Sequence, residues 1–325
     1  MRMILAAMAI ASAPGLATAG VEEVVNAHIL PGFERFAAAS SELDAAATAN
    51  CRGAEIEEAF HTAFDAWITV SHLTLGPIED MGLTLSFAFW PDRKDQTGKA
   101  LARLITDGDP VVEDPAAYAD VSVAAQGFFA LERMLFDAPA SDAYACALTR
   151  AIAAVLAKNA NNVVAEWSQF AGVITTAGEA GNARFQSEEE ARRAIYTALS
   201  TGLEFIHDQR LARPLGTFDR PRPRRAEARR SGRSLRNVEV SLRALQDLTT
   251  AFRAAPTERL DAAYSTAFDR IGSIESGDFS GVADPGQRLR VEALQVDVRE
   301  IQIETMNEIG AAMGLSAGFN ALDGD

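Results

Sequence analysis

The chain has 325 residues, 48% of them hydrophobic and 23% charged, with 45 acidic against 30 basic side chains and a formal charge of −15. That length and apolar fraction suit one large domain or two small ones with real cores, and exclude general disorder, a collagen-like repeat and, at a mean hydropathy of −0.01, a polytopic membrane protein. The acidic balance argues against nucleic acid as a partner, and two cysteines cannot build a disulfide-dense scaffold or a four-thiolate zinc site.

Residues 1–19 read as an export signal. Arg2 supplies the positive start, Met3 to Ala13 an apolar run, and Ala17-Thr18-Ala19 a small-residue cleavage site before Gly20. The run is too short to span a bilayer, so no membrane span is expected once the signal is gone. Cleavage after Ala19 leaves a mature chain of net charge −16, destined in a bacterium for the periplasm or the medium. An oxidising compartment favours a disulfide between Cys51 and Cys146, the alternative being two separate buried thiols.

Helical spacing dominates the rest of the chain. Residues 22–49 carry apolar groups three and four apart and stop at Asn50-Cys51-Arg52-Gly53. Residues 54–74 place Ile56, Ala59, Phe60, Ala63, Phe64 and Trp67 along one stripe. The segment Leu83 to Trp90 is short and isolated, and is expected to be irregular or a short buried piece. Further helices are expected near 96–107, 116–137, 142–170, 187–212, 236–254, 257–274 and 286–313. Ser187 before three glutamates, and Pro256-Thr257-Glu258, are helix-start patterns.

The ten residues Ile56 to Asp65 align with Leu260 to Asp269, which hints at a duplication. The expected architecture is all-α: two packed antiparallel helical bundles of the four-helix type, 20–178 and 179–325, joined at the glycine-rich stretch 176–181. Within the second lies a strap, 209–236, with ten arginines against Asp219 and Glu227, a local charge of +8 that leaves −24 for the rest of the mature chain. Pro214, Pro221 and Pro223 make part of it an extended connection rather than a helix. Two readings of the strap stand side by side. It is a solvated cover neutralising an acidic bundle, or an anion site, because guanidinium forks match carboxylate and phosphate oxygens.

Motifs exclude more than they assign. The four histidines, His28, His61, His72 and His207, form no H-E-x-x-H pair, and no G-x-S-x-G elbow, Walker A loop or G-x-G-x-x-G fingerprint is present. His61 and Asp65, four apart, share a helix face and are a weak metal pattern at best.

Several stretches taken together resemble the imelysin family of exported bacterial proteins, also classed as imelysin-type peptidases. They are His28-Ile29-Leu30-Pro31, Leu75-Gly76-Pro77-Ile78, Phe89-Trp90-Pro91-Asp92-Arg93 and Gly127 through Phe136. Arg213-Pro214-Leu215-Gly216, Ser231-Gly232-Arg233-Ser234-Leu235 and Gly318 through Asp325 come next, in the family's order. The resemblance implies two packed helical bundles with a cleft between them, an association with periplasmic iron acquisition, and in some members metal binding or metallopeptidase activity. Its signature is Gly-x-His-x-x-Glu. This chain keeps Gly127 and Glu132 but has Phe129 in the histidine position, and phenylalanine offers a metal no ligand.

These residues and the resemblance together point to a periplasmic, non-enzymatic binding protein linked to iron uptake. A small carboxylated ligand or an iron chelate would sit in the cleft, contacted by Glu132, His28, Asp92 and strap arginines. Arg93, Gly127, Phe129, Ser231, Arg233 and Ser234 are the remaining expected cleft residues. Glu132 and His28 are the candidate ligands for iron or another divalent cation. Glu132 is otherwise a buried acid paired with a strap arginine such as Arg233, and His28 otherwise an interface histidine. The alternatives are an imelysin-type metallopeptidase, weakened by Phe129, and a module docking on an envelope transport component.

Overall fold

The structure, a computed structural model, describes residues 20–137, 143–253 and 257–314. The signal reading at 1–19 and the terminal Gly318–Asp325 match lie outside the described residues. Helices account for the fold, and no strand occurs among the described residues.

Val21–Val24 runs through a π-helical turn, Val25–Ile29, into α1, Leu30–Ala49. After the break at Asn50–Gly53 comes α2, Ala54–Val70, whose Ile56, Phe60, Ala63, Phe64 and Trp67 are buried as their spacing requires. Then come α3, Gln96–Asp107; α4, Gly127–Phe136; α5, Ala143–Thr175; α6, Glu188–Phe205; α7, Ser234–Phe252; α8, Glu258–Ile271; and α9, Pro285–Thr305. α1 packs on α2 and α5, and α4 on α5; in the later half α6 packs on α7 and α9, and α8 on α7 and α9. The two groups meet where α2 crosses α7 and where Val21–Val24 touches α6 and α7. One apolar core runs through both. The aligned segments Ile56–Asp65 and Leu260–Asp269 lie in α2 and α8.

Capping explains several boundaries. Ser187 Oγ accepts from Glu190 N–H while the Glu190 carboxylate accepts from Gln186 N–H, a reciprocal box with three acids in the first turn of α6. Asp284 accepts from Gly286 and Gln287 N–H, and Pro285 opens α9. Cys51 and Cys146 are joined by a disulfide that ties the α1–α2 turn to the start of α5, with the Cα atoms 5.2 Å apart.

Two local expectations need correction, and the short buried piece expected at Leu83–Trp90 gains detail. The helix expected over 116–137 is broken into Pro115–Tyr118, a 3-10 turn at Val123–Ala125, and α4. The break is held by side chains: the Gln126 amide donates to the Ala119 and Val121 carbonyls, and Tyr118 O–H donates to the Ala125 carbonyl. Leu83–Trp90 contains one helical turn, Thr84–Phe87, with Phe87 fully buried. The strap is solvated in part, with residues 216–220, Arg222, Arg224 and Arg225 exposed, but it is not extended throughout. Pro214 lies inside the helical turn Ala212–Leu215, Pro223–Arg225 is a 3-10 turn, and Ala226, Glu227 and Ala228 are buried. Past Leu215 the chain leaves the helix and gains compaction by burying Glu227 against Arg210, which donates to both its oxygens at 2.6 and 3.4 Å.

No helix among the described residues is long and apolar enough to cross a membrane.

Candidate functional site

Gly127 fixes the position of α4. Its φ is +69°, and a Cβ there would lie 2.2 Å from the Phe87 carbonyl oxygen and 2.3 Å from that of Ser86. Only glycine lets the start of α4 rest on the Thr84–Phe87 turn. Phe128 then stacks on Phe64, with ring centroids 4.5 Å apart, inside an aromatic core with Phe36 and Phe60. Phe129 packs edge-on against the same Phe64 ring and also faces Trp90, and it is 7% exposed.

One turn on, Glu132 is 1% exposed and reaches the strap. Its Oε1 accepts from Ser231 N–H at 3.0 Å and from Ser231 Oγ–H at 2.8 Å. Burial raises its pKa, against the lowering effects of these bonds and of Arg230 nearby. The expected Glu132–Arg233 pair does not form. Arg233 instead donates to Asp65, to the His61 carbonyl at 3.2 Å and toward His61 Nδ1 at 3.1 Å, and lies over the Phe64 ring. Arg236 also donates to Asp65. Burial alone would raise the Asp65 pKa, but the two guanidiniums hold it below its usual range. His61 and Asp65 are thus an arginine clamp and not a metal pair.

Between α4, the segment 89–97 and the strap lies a cavity of about 740 Å³. Phe89, Trp90 and Phe129 form an apolar wall. Asp92, Asp95 and Glu132 line it, together with seven arginines: Arg93, Arg133, Arg213, Arg224, Arg225, Arg229 and Arg230. The acids are engaged. The Asp92 carboxylate accepts from Gln96 N–H at 2.9 Å and Thr97 N–H at 2.8 Å; burial raises its pKa, yet these bonds prevail and hold it low. Asp95 takes a bond from Arg133, and Asp137 below it takes one from Arg230 at 2.5 Å. Five guanidiniums, those of Arg93, Arg213, Arg224, Arg225 and Arg229, have no carboxylate of the described residues within 4.0 Å. Arg213 lies over the Trp90 ring at 5.5 Å, and its Nε–H is shielded from solvent without an acceptor.

The structure therefore brings Glu132, Asp92, Arg93 and Phe129 to one pocket, with Gly127 and Ser231 supporting it. Arg233 and Ser234 do not line it; Ser234 Oγ donates to the Glu227 carbonyl at 2.5 Å and pins the strap. His28 does not line it either. Its Nε2 is 3.1 Å from His72 Nε2, and His72 borders a separate cavity of about 150 Å³ with Phe205, Arg210 and Ser241. Burial and the Arg35 charge lower His28 to about 4. Glu132 and His28 thus do not converge as ligands. No group of three or more His, Cys, Asp or Glu side chains able to hold a metal occurs among the described residues. With a phenylalanine at the motif position and Glu132 Oε1 committed to Ser231, the donor set here does not fit a divalent metal centre.

Sequence reasoning does not single out Arg133, Arg213, Arg224, Arg225, Arg229 and Arg230 individually as site residues, although the arginine density of the strap is a signal that points to most of them.

The Imelysin family model (Peptidase M75) matches residues 29–305. Among solved structures, an imelysin-like protein from Psychrobacter arcticum 273-4 superposes with a TM-score of 0.76 at 18% identity, over 93% of this chain and 98% of that one. A protein from Parabacteroides distasonis ATCC 8503 named as an iron-regulated protein A precursor superposes with a TM-score of 0.70 at 12% identity, over 94% and 96%. No curated protein matches the sequence significantly. The likeness to the two structures is one of fold, while the family match covers most of the sequence: this chain belongs to the Imelysin family.

Proposed function

We propose that this protein is an exported, non-enzymatic binding protein associated with iron uptake, and that its ligand is an anion seated in the arginine-lined pocket. One observation carries the reading. Five guanidiniums around a single cavity lack carboxylate partners, whereas Asp92, Asp95 and Glu132 in the same walls are already hydrogen-bonded. Like charges gathered on a partly apolar surface repel one another, and a bound oxyanion offsets that repulsion through bidentate bonds. A bare cation would meet charge of its own sign there.

The iron association rests on family membership and on the name of the Parabacteroides relative. On this reading iron enters inside an anionic chelate and not as an ion bound by protein side chains. The export reading of residues 1–19 places the activity in the periplasm, where release to an envelope transport component is the natural next step. Titration calorimetry on the metal-stripped mature chain tests this. Heat with an iron–citrate chelate and none with iron salts supports the reading; binding of free ferrous or ferric ion alone, or no binding by folded protein, refutes it.

A further inference from the structure

The unpaired arginines are not spread evenly around the pocket. Burial lowers the pKa of Arg213, and the charges of Arg93 and Arg225 lower it further. Arg229 is lowered by burial and by Arg230 and Arg224, with partial relief from Asp137 and Glu132. Geometry marks the two ends of the cavity: Arg213 lies over the Trp90 ring, while Arg229 precedes by two residues the Ser231 that Glu132 holds. One set is built from the segment after Trp90, the helical turn at Ala212–Leu215, and the strap. The other belongs wholly to the strap, next to the turn that Glu132 fastens to α4 through Ser231. The apolar wall of Phe89, Trp90 and Phe129 completes the lining.

A single carboxylate or phosphate accepts bidentate bonds from one or two guanidiniums and satisfies one such set. It leaves the other uncompensated. The orphaned Nε–H of Arg213 calls for an acceptor on the Trp90 side.

Resting on the anion-pocket reading above, we infer that the ligand is a two-headed oxyanion. One anionic group is held by Arg213 with Arg93 and Arg225, the other by Arg229 with Arg224, and the carbon frame between them lies against Phe89, Trp90 and Phe129. The shared chemistry is two or more carboxylate or phosphate groups on one small molecule. Arg133 and Arg230 are occupied by Asp95 and Asp137 and serve to position the walls.

Calorimetry on the metal-stripped mature chain tests it with acetate, inorganic phosphate, pyrophosphate and citrate as probes. A two-headed probe is expected to bind at least ~10-fold more tightly than its one-headed counterpart, since each charge-assisted contact set is worth about a factor of ten or more. The pyrophosphate and citrate arms show whether phosphate or carboxylate heads are preferred. Arg213→Gln and Arg229→Gln are each expected to weaken the two-headed probe by roughly 10-fold, with Arg225→Gln, on the exposed strap, as a third variant should Arg213→Gln not fold. Arg213→Lys and Arg229→Lys keep the charge without the fork and are expected to retain only part of the affinity. If phosphate binds as tightly as pyrophosphate, or if only one of the two arginine sets affects affinity, the two-headed assignment is wrong while the anion pocket stands. If no probe binds to folded protein, both fall together.

Discussion

The Glu132–Ser231 contact is the joint between α4 and the strap, and its strength can be measured. Ser231→Ala removes the hydroxyl bond to Oε1 at 2.8 Å and leaves the backbone bond at 3.0 Å. A hydrogen bond to a charged acceptor is worth about 1.5–3 kcal/mol, so Ser231→Ala should cost about 1.5 kcal/mol at neutral pH. Glu132→Gln keeps an acceptor oxygen but no charge, so Ser231→Ala should cost only about 0.5–1 kcal/mol in that background. The cycle then gives a coupling of roughly 0.5–1 kcal/mol.

The pH dependence has a definite sign. Burial raises the folded pKa of Glu132 above its unfolded value, so its contribution is fullest below the unfolded carboxylate range and declines as pH rises through the folded value. The serine bonds oppose that shift, so the difference between wild type and Ser231→Ala should grow from acid to neutral pH. Urea unfolding of the four proteins at pH 4.5 and pH 7 reads both quantities. A coupling indistinguishable from zero at pH 7, or one that shrinks with rising pH, refutes the argument.

Three further outcomes are expected. Replacing Cys51 and Cys146 by serine should cost up to about 4–5 kcal/mol in the chain-entropy treatment of a loop closed across 95 residues, read as a lower urea midpoint with intact helicity. Gly127→Ala forces a Cβ against the Phe87 carbonyl at positive φ and should cost about 3 kcal/mol or more, with soluble yield and thermal midpoint falling together, whereas alanine at Gly82, where nothing lies within 4 Å, should cost less. His28, held at about 4, and His72, lowered by burial, are neutral in the fold, while unfolded histidine takes up its proton near 6.5. Stability present above pH 6.5 should therefore be lost as pH falls toward 4, and His72→Gln should flatten that slope in a thermal-melt series.

The helices were legible because their cause is local. The stripe Ile56, Phe60, Phe64 and Trp67, the box at Ser187–Glu190 and the stop at Asn50–Gly53 each state helix direction, face or boundary within a few residues. The break before Gly127 was not legible, because it depends on Gln126 and Tyr118 reaching carbonyls that only the folded turn presents. The pairing of Cys51 with Cys146 came from compartment and number, and needed the approach of α5 to α1 to become geometry.

The site divides the same way. Composition alone announced ten arginines within 28 residues and a phenylalanine where the family places histidine. Which arginines are spent on ion pairs depends on acids far away in the chain: Arg233 and Arg236 meet Asp65, Arg230 meets Asp137, and Arg210 meets Glu227 beneath the strap. Charge is a property of each residue and can be counted along a line. Neutralisation is a property of distance, falling off over a few ångströms, so the five arginines left facing the pocket emerge only when the helices are packed.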